Sequence, residues 1–463
     1  MKLIEPRSVR KGIRFHLHLD EVFGLVEAIM KGSHLLIGIA DPETPRIYTS
    51  ETERKDPAWW VAQEQLCLGG GGDFPDEHRN GAAERLRGTS TSMLMYEALG
   101  INDAVLKAMA DEVNFYDSHV GCPRTHLASL IKMAFVNFPG QDDVLFLWAA
   151  KLIGSVYDMK TKGLQPPRNE LPFADFASKL MNLKSSFEEA EAREGLLKLI
   201  GRESNSPSSL IFSVRTIYEA LWRTSQGTTL RDKIRNIGDD VMRMIAILYK
   251  DQINYHAFRD QADSQDFEGW FWIPVNCGSG RIERMKAAFA ETDNPQAHNA
   301  LRSYGAMLSI VKNTKGNATI LGNQKLAGER GIMRAMDEGM QNFIAMNRWC
   351  DLPLGAEKSV TWDILKCRGK SPVEKRWYLA DQDWLAGYNG TWYHKSEITG
   401  LPLRKNEKRV SLQENAEAAF DPNRVDAWKR NNHVPDNSWF RPLASLDEML
   451  QPKGLDLDRA FRK

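Results

Sequence analysis

The sequence lacks the features that would assign the chain to a specialised class of protein. Lysine plus arginine equals aspartate plus glutamate, 61 of each, so no net charge attracts the whole chain to nucleic acid or to an anionic membrane. The five cysteines are scattered without a CxxC pair, which argues against a disulfide framework or a zinc knuckle and favours reduced thiols. No apolar run approaches the length of a membrane span, and residues 1–12 have no apolar signal core. We therefore expect a cytoplasmic protein without a membrane partner.

Length and composition indicate several ordinary globular domains. The chain has 463 residues, too many for one core, with 42% hydrophobic and 26% charged residues. We find no internal repeat and no low-complexity tract. Changes in composition and periodicity predict four domains, with boundaries that we place at the following positions: 1–162, 163–252, 253–350 and 351–463.

Histidine is scarce, at ten residues, yet two histidines occur in the segment FHLHLDE at 15–21. Alternating polar and apolar residues predict a strand with His16, His18 and Asp20 on one face, followed by a helix from Val22. Imidazoles and a carboxylate at the C-terminal end of a strand suit a divalent metal ion. The alternative is a strand edge that faces only water; the scarcity of histidine favours the metal site.

A second polar cluster follows the four glycines at 69–72. Those glycines permit positive φ angles and close approach of the backbone to a ligand. Asp73, Asp76, Glu77 and His78 come next, a dense group of potential metal ligands. Taken alone, the segment is equally consistent with a solvated acidic loop, but its spacing from the first cluster favours a shared metal site.

Two helices follow this loop. Residues 89–100 predict a helix capped by hydroxyl side chains and stopped by Gly100. Its N-terminal amides could hold a phosphate beside Ser90 and Ser92, although capping explains these serines equally well. A helix over 103–117 ends at Asp117, which could complete a metal shell or could be an ordinary polar helix end.

The order of these motifs resembles the melanocyte-proliferating-gene family of DHH-like hydrolases. HLDE, GGGGDFPDEH, GTSTSMLMYEALG and the region of Asp117 occur in the family's order. The resemblance covers about residues 10–160 and extends more weakly over 253–350. It implies an α/β fold with a DHH-phosphoesterase-like parallel-sheet domain that binds Mn²⁺-type ions. For characterised relatives it implies RNA exonuclease activity.

The chain departs from the family pattern at two places. The family's Asp-His-His triplet is Asp76-Glu77-His78 here, and glutamate can still bind Mn²⁺ or Mg²⁺ through oxygen. The family's aspartate before the paired glycines has no counterpart, because Cys67 and Leu68 stand there. Asp73 or Asp41 could substitute, but neither occupies the matching place, so a one-metal or inactive site is an open alternative.

The remaining chain predicts a helical insertion, a second α/β lobe and a Trp-rich C-terminal extension. Helices are predicted over 176–201, 206–223 and 228–252, a strand over 270–275, a hairpin at 313–317 and a helix over 328–349. Four basic side chains of this region could contact a substrate phosphate or could simply face solvent in turns: Lys312, Lys315, Lys325 and Arg330. Six tryptophans beyond residue 351 could stack on single-stranded bases, but more commonly such residues form a small core.

The sequence therefore predicts a metal-dependent phosphoesterase acting on RNA, single-stranded nucleic acid or nucleotides, with Mn²⁺ or Mg²⁺ as cofactor. The predicted site is as follows: metal ligands His16, His18, Asp20, Asp76, Glu77 and Asp117; catalytic Glu77 and His78; substrate-binding Ser90, Ser92, Lys315 and Lys325. One alternative is an impaired hydrolase scaffold that binds nucleic acid or protein through its helical insertion or C-terminal domain. Another is an amidohydrolase barrel opened by His-x-His, which the helical pattern at 160–252 disfavours.

Overall fold

The computed structural model has a mixed α/β fold, rich in helices and with small sheets. The residues that it describes are 3–49, 55–79, 84–85, 89–118, 122–164, 171–183, 189–205, 210–264, 266–267, 269–276, 282–306, 308–312, 318–322, 377–379, 384–386 and 391–394. The chain divides into two compact units, Met1–Ile253 and Asn254–Lys463. The mixed α/β class agrees with the sequence prediction, whereas the division into four domains stays a prediction.

The first unit contains short strands and a larger number of helices. Its strands are β1 (Arg7–Ser8), β2 (Gly12–Phe15), β3 (Leu36–Ile37), β4 (Arg46–Tyr48), β5 (Gln65–Leu68), β6 (His78–Arg79) and β7 (Glu84–Arg85). Its helices are α1 (Leu19–Lys31), α2 (Pro57–Ala62), α3 (Thr91–Ala98), α4 (Ala104–Ser118), α5 (Leu127–Asn137), α6 (Asp142–Thr161), α7 (Phe173–Leu183), α8 (Ala190–Asn205), α9 (Val214–Thr224) and α10 (Leu230–Asp263). The boundary between the two units falls within α10.

A small parallel sheet positions the functional residues. Strand β2 lies between β4 and β5 and runs parallel to both. Ile13 and Phe15 lie on the same face of β2 and are both fully buried, whereas Arg14 on the opposite face is half-buried. Phe15 is paired with Leu68, so the residues that follow β2 and β5 emerge at the same edge of the sheet. The described strands around β2 form an open three-stranded sheet, which differs from the eight-stranded barrel of the amidohydrolase alternative.

The predicted strand through His16, His18 and Asp20 is wrong. Strand β2 ends at Phe15, and α1 begins at Leu19. Polar and apolar residues alternate over only five positions here, and the longer helical stripe of apolar residues from Leu19 determines the local structure. Asp20 and Glu21 therefore lie in the first turn of a helix, where negative charge is stabilised by the helix dipole.

Two further predictions need correction. From sequence alone, residues 59–68 are a strand candidate that leads into the four glycines. In the structure this segment is helix α2 followed by β5, because Asp56 caps the helix by accepting a hydrogen bond from the Trp59 amide at 2.9 Å. The helical pattern over 127–159 predicts four aromatic core residues: Phe135, Phe138, Phe146 and Trp148. Phe146 and Trp148 are buried, but Phe135 is 40% exposed. The remaining predicted core residue, Phe138, packs against the core while partly buried.

Helices α7 to α10 share a hydrophobic core with the parallel sheet. The same buried cluster contains Ile13 of β2 and Phe23 of α1 together with Leu196, Ile217 and Ile245 of the later helices. The segment predicted as a helical insertion therefore helps to bury the sheet and the helix that carry the candidate site. None of the described helices is long and apolar enough to span a membrane.

The described part of the second unit is built on a seven-stranded sheet. Its elements are β8 (Trp270–Asn276), β9 (Ile282–Glu291), α11 (Ala297–Ser303), β10 (Leu308–Lys312), β11 (Ala318–Gly322), β12 (Trp377–Leu379), β13 (Trp384–Ala386) and β14 (Thr391–His394), with strand order β12-β13-β14-β11-β10-β9-β8. Strands β10 and β11 pair antiparallel with Lys312 opposite Ala318, which confirms the predicted hairpin. Three strands from the Trp-rich region extend the same sheet. The helix predicted over 328–349 lies outside the described residues.

One carboxylic acid is buried in helix α1 two turns after Asp20. Glu27 is fully buried, and neither side-chain oxygen has a hydrogen-bond partner within the described structure. Burial raises the pKa of Glu27 well above its usual value. The unfolded chain releases this proton at about pH 4.3, so the folded protein binds more protons than the unfolded chain above that pH. Glu27 therefore lowers the free energy of unfolding progressively as the pH rises from the unfolded-state pKa toward the folded-state pKa.

Replacing Glu27 by Met is expected to increase the free energy of unfolding by about 1–3 kcal/mol at neutral pH, because a buried polar group without partners is removed. The increase should be larger at about pH 8 than at about pH 5, because Glu27 destabilises the unmodified chain more as the pH rises. Urea unfolding of both proteins at the two pH values measures it. Glu97→Met removes an exposed glutamate of α3 and serves as the control with little effect. An equal difference at both pH values would contradict the assignment.

Candidate metal centre

The candidate site lies at the edge of the sheet where β2 and β5 end. His16 follows β2, and α1 contributes Asp20 and Glu21 from its first turn. Glu77 follows the glycine-rich loop after β5, and Asp117 lies near the C-terminal end of α4. The structure thus brings together residues from distant parts of the chain.

Two groups of potential metal ligands form there. His16, His18 and Glu21 make one group, and the other consists of Asp20, Glu77 and Asp117; within each group, one ligand atom of every residue lies within 4.8 Å of the others. Asp20, Glu21 and Glu77 are buried, while His18 is exposed. The first group combines nitrogen and oxygen donors, and the second offers only carboxylate oxygens.

The two groups are electrostatically linked through Glu21. Burial raises the pKa of Glu21 well above its usual value, and the neighbouring Asp20 and Glu77 carboxylates raise it further. Asp20 also hydrogen-bonds Glu21. Bringing several carboxylates into a buried site favours either protonation or a bound cation. A dication therefore fits the chemistry of this set of donors.

Gly69 allows the loop after β5 to pass directly against Glu21. Its φ is +73°, a conformation that favours glycine, and a β-carbon at this position would lie 2.0 Å from Glu21 Oε1. Glycine is thus required at position 69, because the backbone has a positive φ there and because the loop leaves no room for a side chain beside Glu21.

The acidic residues inside the loop hold its backbone. Asp76 Oδ2 accepts hydrogen bonds from the amides of Gly70, Gly71 and Gly72 at 2.9, 2.8 and 3.2 Å. Asp76 belongs to neither ligand group found among the described residues. Its Oδ2 therefore anchors the glycine-rich loop, and metal binding by Asp76 stays a prediction.

Asp73 is engaged in a buried ion pair. Its oxygens accept hydrogen bonds from the Arg7 guanidinium at 2.9 and 2.7 Å, and from the amides of Cys67 and Phe74 at 2.9 and 2.6 Å. The carboxylate that could have replaced the family's bridging aspartate thus has a structural role. Together, Asp73 and Asp76 fix the loop that leads to Glu77.

The N-terminus of α3 lies beside Glu77. Thr91 Oγ1 donates a hydrogen bond to Glu77 Oε2. Ser90 caps the helix by accepting from the Met93 amide at 3.4 Å, and the hydroxyls of Ser90 and Ser92 are 3.0 Å apart. The predicted cap is confirmed, and Gly100 has the positive φ expected of a helix stop. Substrate binding by the two serines stays a prediction.

Sequence reasoning missed two residues of the site. Glu21 was not predicted as a ligand, although it stands directly after Asp20; recognising the helix start would have placed both near His16. Thr91 lies between the two predicted serines and contacts Glu77. The side chain of His78 lies outside the described part of the structure, as do Lys315 and Lys325.

No family model, curated protein or solved structure matches the chain. Any functional conclusion therefore depends on the chemistry of the site and on the sequence motifs.

Proposed function

We propose that the protein is a metal-dependent phosphoesterase of the DHH-like type, acting on RNA, other single-stranded nucleic acid or nucleotides. The observation that supports this best is the convergence of His16, His18, Asp20, Glu21, Glu77 and Asp117 at the carboxyl edge of parallel strands. Ligands commonly bind at this edge in open α/β sheets. The proposed reaction is hydrolysis of a phosphodiester in the cytoplasm.

Each group of ligands fits a divalent ion. His16, His18 and Glu21 suit Mn²⁺ or another transition metal, whereas Asp20, Glu77 and Asp117 suit Mn²⁺ or Mg²⁺. When bound, such ions polarise a phosphoryl oxygen and lower the pKa of water from about 15.7 toward 7. The carboxylates and imidazoles of this chain hold the ions, and the loop fixed by Asp76 orients Glu77 among them.

Helix α3 supplies a suitable place for the substrate phosphate. Its N-terminus adjoins Glu77 through Thr91, and the N-terminal amides of a helix favour an anion. Ser90 keeps these amides in position by capping the helix, and the Ser92 hydroxyl lies 3.0 Å from that of Ser90. Substrate binding by Lys315 and Lys325 stays a prediction from the sequence, and in this proposal His78 protonates the leaving oxygen.

A second candidate is a binding subunit built on a hydrolase scaffold that has lost activity. The specific observation in its favour is that Cys67 occupies the place of the expected bridging aspartate, while Asp73 is paired with Arg7. In this case the protein would bind nucleic acid, or a protein partner through the helices of the first unit or the Trp-rich region.

Elemental analysis combined with a hydrolysis screen separates these candidates. We expect purified protein to contain Mn, Mg, Fe or Zn, and to hydrolyse bis(p-nitrophenyl) phosphate or single-stranded RNA when Mn²⁺ is added. EDTA should abolish the reaction. Bound metal with RNA binding but no hydrolysis would favour the scaffold candidate. A protein that contains no metal, and gains neither activity nor thermal stability from Mn²⁺, would exclude the proposed metal centre.

A further inference from the structure

Helix α2 lies directly against the glycine-rich loop of the candidate metal centre. Trp60 of this helix is fully buried, and its Nε1 donates a hydrogen bond to the Gly71 carbonyl oxygen at 3.2 Å. The Lys55 amide donates to the same oxygen at 3.4 Å. Gly71 is two positions after Gly69, the residue that lies against Glu21. Two residues of chain span at most about 7 Å, so α2 is fixed close to the ligand group that contains Glu21.

Trp59 is a half-buried indole at the surface of this helix. Its ring centroid lies 4.7 Å from that of Trp60, and the two ring planes meet at 87°. The Trp59 backbone is also held, because its amide donates a hydrogen bond to the capping Asp56 Oδ1 at 2.9 Å. Trp60 and the cap thus fix the orientation of the Trp59 ring. A ligand that stacks on a fixed ring costs the protein little side-chain entropy on binding.

A positive charge lies over the Trp59 ring. The Lys55 Nζ is 4.9 Å from the ring centroid, and Lys55 is exposed. A cation–π contact at an exposed site is weak, and the lysine side chain is long and flexible. The ammonium can therefore move to a nearby phosphate when another ring stacks on Trp59. An aromatic ring beside a mobile positive charge is a combination with which proteins bind single-stranded nucleic acid.

We propose that Trp59 and Lys55 form a binding site for single-stranded nucleic acid beside the metal centre. The Trp59 ring stacks on one base, and the Lys55 ammonium contacts a phosphate next to that base. This inference rests on the proposed function and narrows its substrate to an oligonucleotide that carries bases. Because every base has a π-face, the site should accept RNA and single-stranded DNA of different sequences.

The first experiment measures binding without hydrolysis. Fluorescence anisotropy gives the dissociation constants of labelled oligo(U) and oligo(dT) of about ten nucleotides, with Ca²⁺ in place of Mn²⁺ and the oligonucleotide recovered intact. Trp59→Ala should weaken binding about tenfold, and Trp59→Phe should retain most of the affinity. The control is Val61→Ala, which truncates an apolar side chain of α2 that is 45% exposed and should change nothing. Equal affinity of Trp59→Ala and the unmodified chain would overturn the proposal.

An abasic oligonucleotide shows whether Trp59 acts by stacking. The unmodified chain should bind a fully abasic oligonucleotide of the same length more weakly than oligo(dT). Trp59→Ala should bind the abasic oligonucleotide as tightly as the unmodified chain does. If Trp59→Ala weakens the binding of oligo(dT) and of the abasic oligonucleotide equally, the substitution acts through the structure of the loop, and the stacking site is excluded.

The salt dependence of binding tests Lys55. Each phosphate that a protein neutralises on a single strand adds about 0.7 to the slope of log K against log salt concentration. Lys55→Met should therefore reduce the magnitude of this slope by about 0.7. Lys11→Met is the control, because the Lys11 side chain is 65% exposed but precedes β2, at the end of β2 opposite to the candidate site. An unchanged slope in Lys55→Met would exclude the contact between Lys55 and phosphate.

These outcomes are separate from that of the hydrolysis screen. If the chain hydrolyses phosphodiesters but Trp59→Ala binds oligo(U) and oligo(dT) like the unmodified chain, the proposed function stands and this inference fails. If no phosphodiester is hydrolysed but oligonucleotide binding depends on Trp59 and Lys55, the inference stands and the scaffold candidate is favoured. An unmodified chain that binds neither oligo(U) nor oligo(dT) would overturn the inference.

Discussion

Asp20→Asn is expected to abolish the response to metal and at the same time to stabilise the metal-free protein. Asp20 supplies an oxygen to the group with Glu77 and Asp117. Its charge also raises the pKa of Glu21. Without metal, removing this charge relieves repulsion among buried carboxylates. With metal, the variant lacks one ligand, so Mn²⁺-dependent hydrolysis should fall at least about a hundredfold.

Thermal unfolding in EDTA and in Mn²⁺ measures both effects. For the unmodified chain, Mn²⁺ at a hundred times its dissociation constant should add about 2.7 kcal/mol to the free energy of unfolding. Asp20→Asn should unfold at a higher temperature than the unmodified chain in EDTA and show almost no further rise with Mn²⁺. If Asp20 had only a structural role, its replacement would not raise the unfolding temperature in EDTA and also remove the further rise with Mn²⁺.

Asp41→Asn is the matched control for this prediction. Asp41 was the other aspartate that could have replaced the missing bridging residue, and it lies in neither ligand group. Its Oδ1 accepts a hydrogen bond from the Glu43 amide at 3.0 Å, as in an ordinary turn. We expect its metal response to match that of the unmodified chain. Loss of the response in Asp41→Asn, or undiminished hydrolysis in Asp20→Asn, would contradict the site.

The convergence of the two polar segments could be predicted from the sequence because both follow strands. Parallel strands that share a sheet bring their carboxyl ends to one edge, and Phe15 is indeed paired with Leu68. The roles of individual residues could not be predicted in the same way. A five-residue alternation does not distinguish the end of a strand from the start of a helix, so Glu21 was missed.

The acidic loop shows a second limit of sequence reasoning. Asp73, Asp76 and Glu77 have the same charge and similar ligand chemistry, and their spacing does not reveal which of them bind backbone amides. The partner of Asp73 is Arg7, 66 positions away in the chain. Only the folded arrangement separates the two anchoring carboxylates from the one that joins the ligand group.

Helical periodicity was sufficient to predict most of the helices, but their burial depended on tertiary packing. The pattern over 176–252 predicted amphipathic helices, but the one helix predicted over 176–201 is two, α7 and α8, and the helix predicted over 206–223 begins only at Val214. The structure places their apolar faces in the core that contains β2. An apolar stripe indicates that a helix face is buried, but it does not specify against which element. The predicted boundary at 163 followed from a polar linker, a local feature that carries no information about this packing.

Arg7→Met is expected to lower the free energy of unfolding by about 3–5 kcal/mol, because it leaves the Asp73 carboxylate buried without its cation. The side chains of Arg7 and Asp73 are 8% and 0% exposed. Denaturant unfolding measures the change. The control is Lys11→Met, which breaks an exposed pair with Glu64 whose side chains are 65% and 43% exposed and should cost less than about 1 kcal/mol. Similar losses in the two variants would contradict the structural role of the buried pair.

A double-mutant cycle separates this ion pair from the other contacts of Asp73. Asp73→Asn removes the charge but keeps an oxygen for the Cys67 or Phe74 amide, so Arg7→Met should cost much less in that background. The loop fixed by Asp73 leads to Glu77, and therefore Arg7→Met should also weaken the stabilisation by Mn²⁺, although Arg7 is not a ligand. Lys11→Met should leave that stabilisation unchanged. If Arg7→Met lowers stability but retains the full metal response, the ion pair supports the core without positioning Glu77.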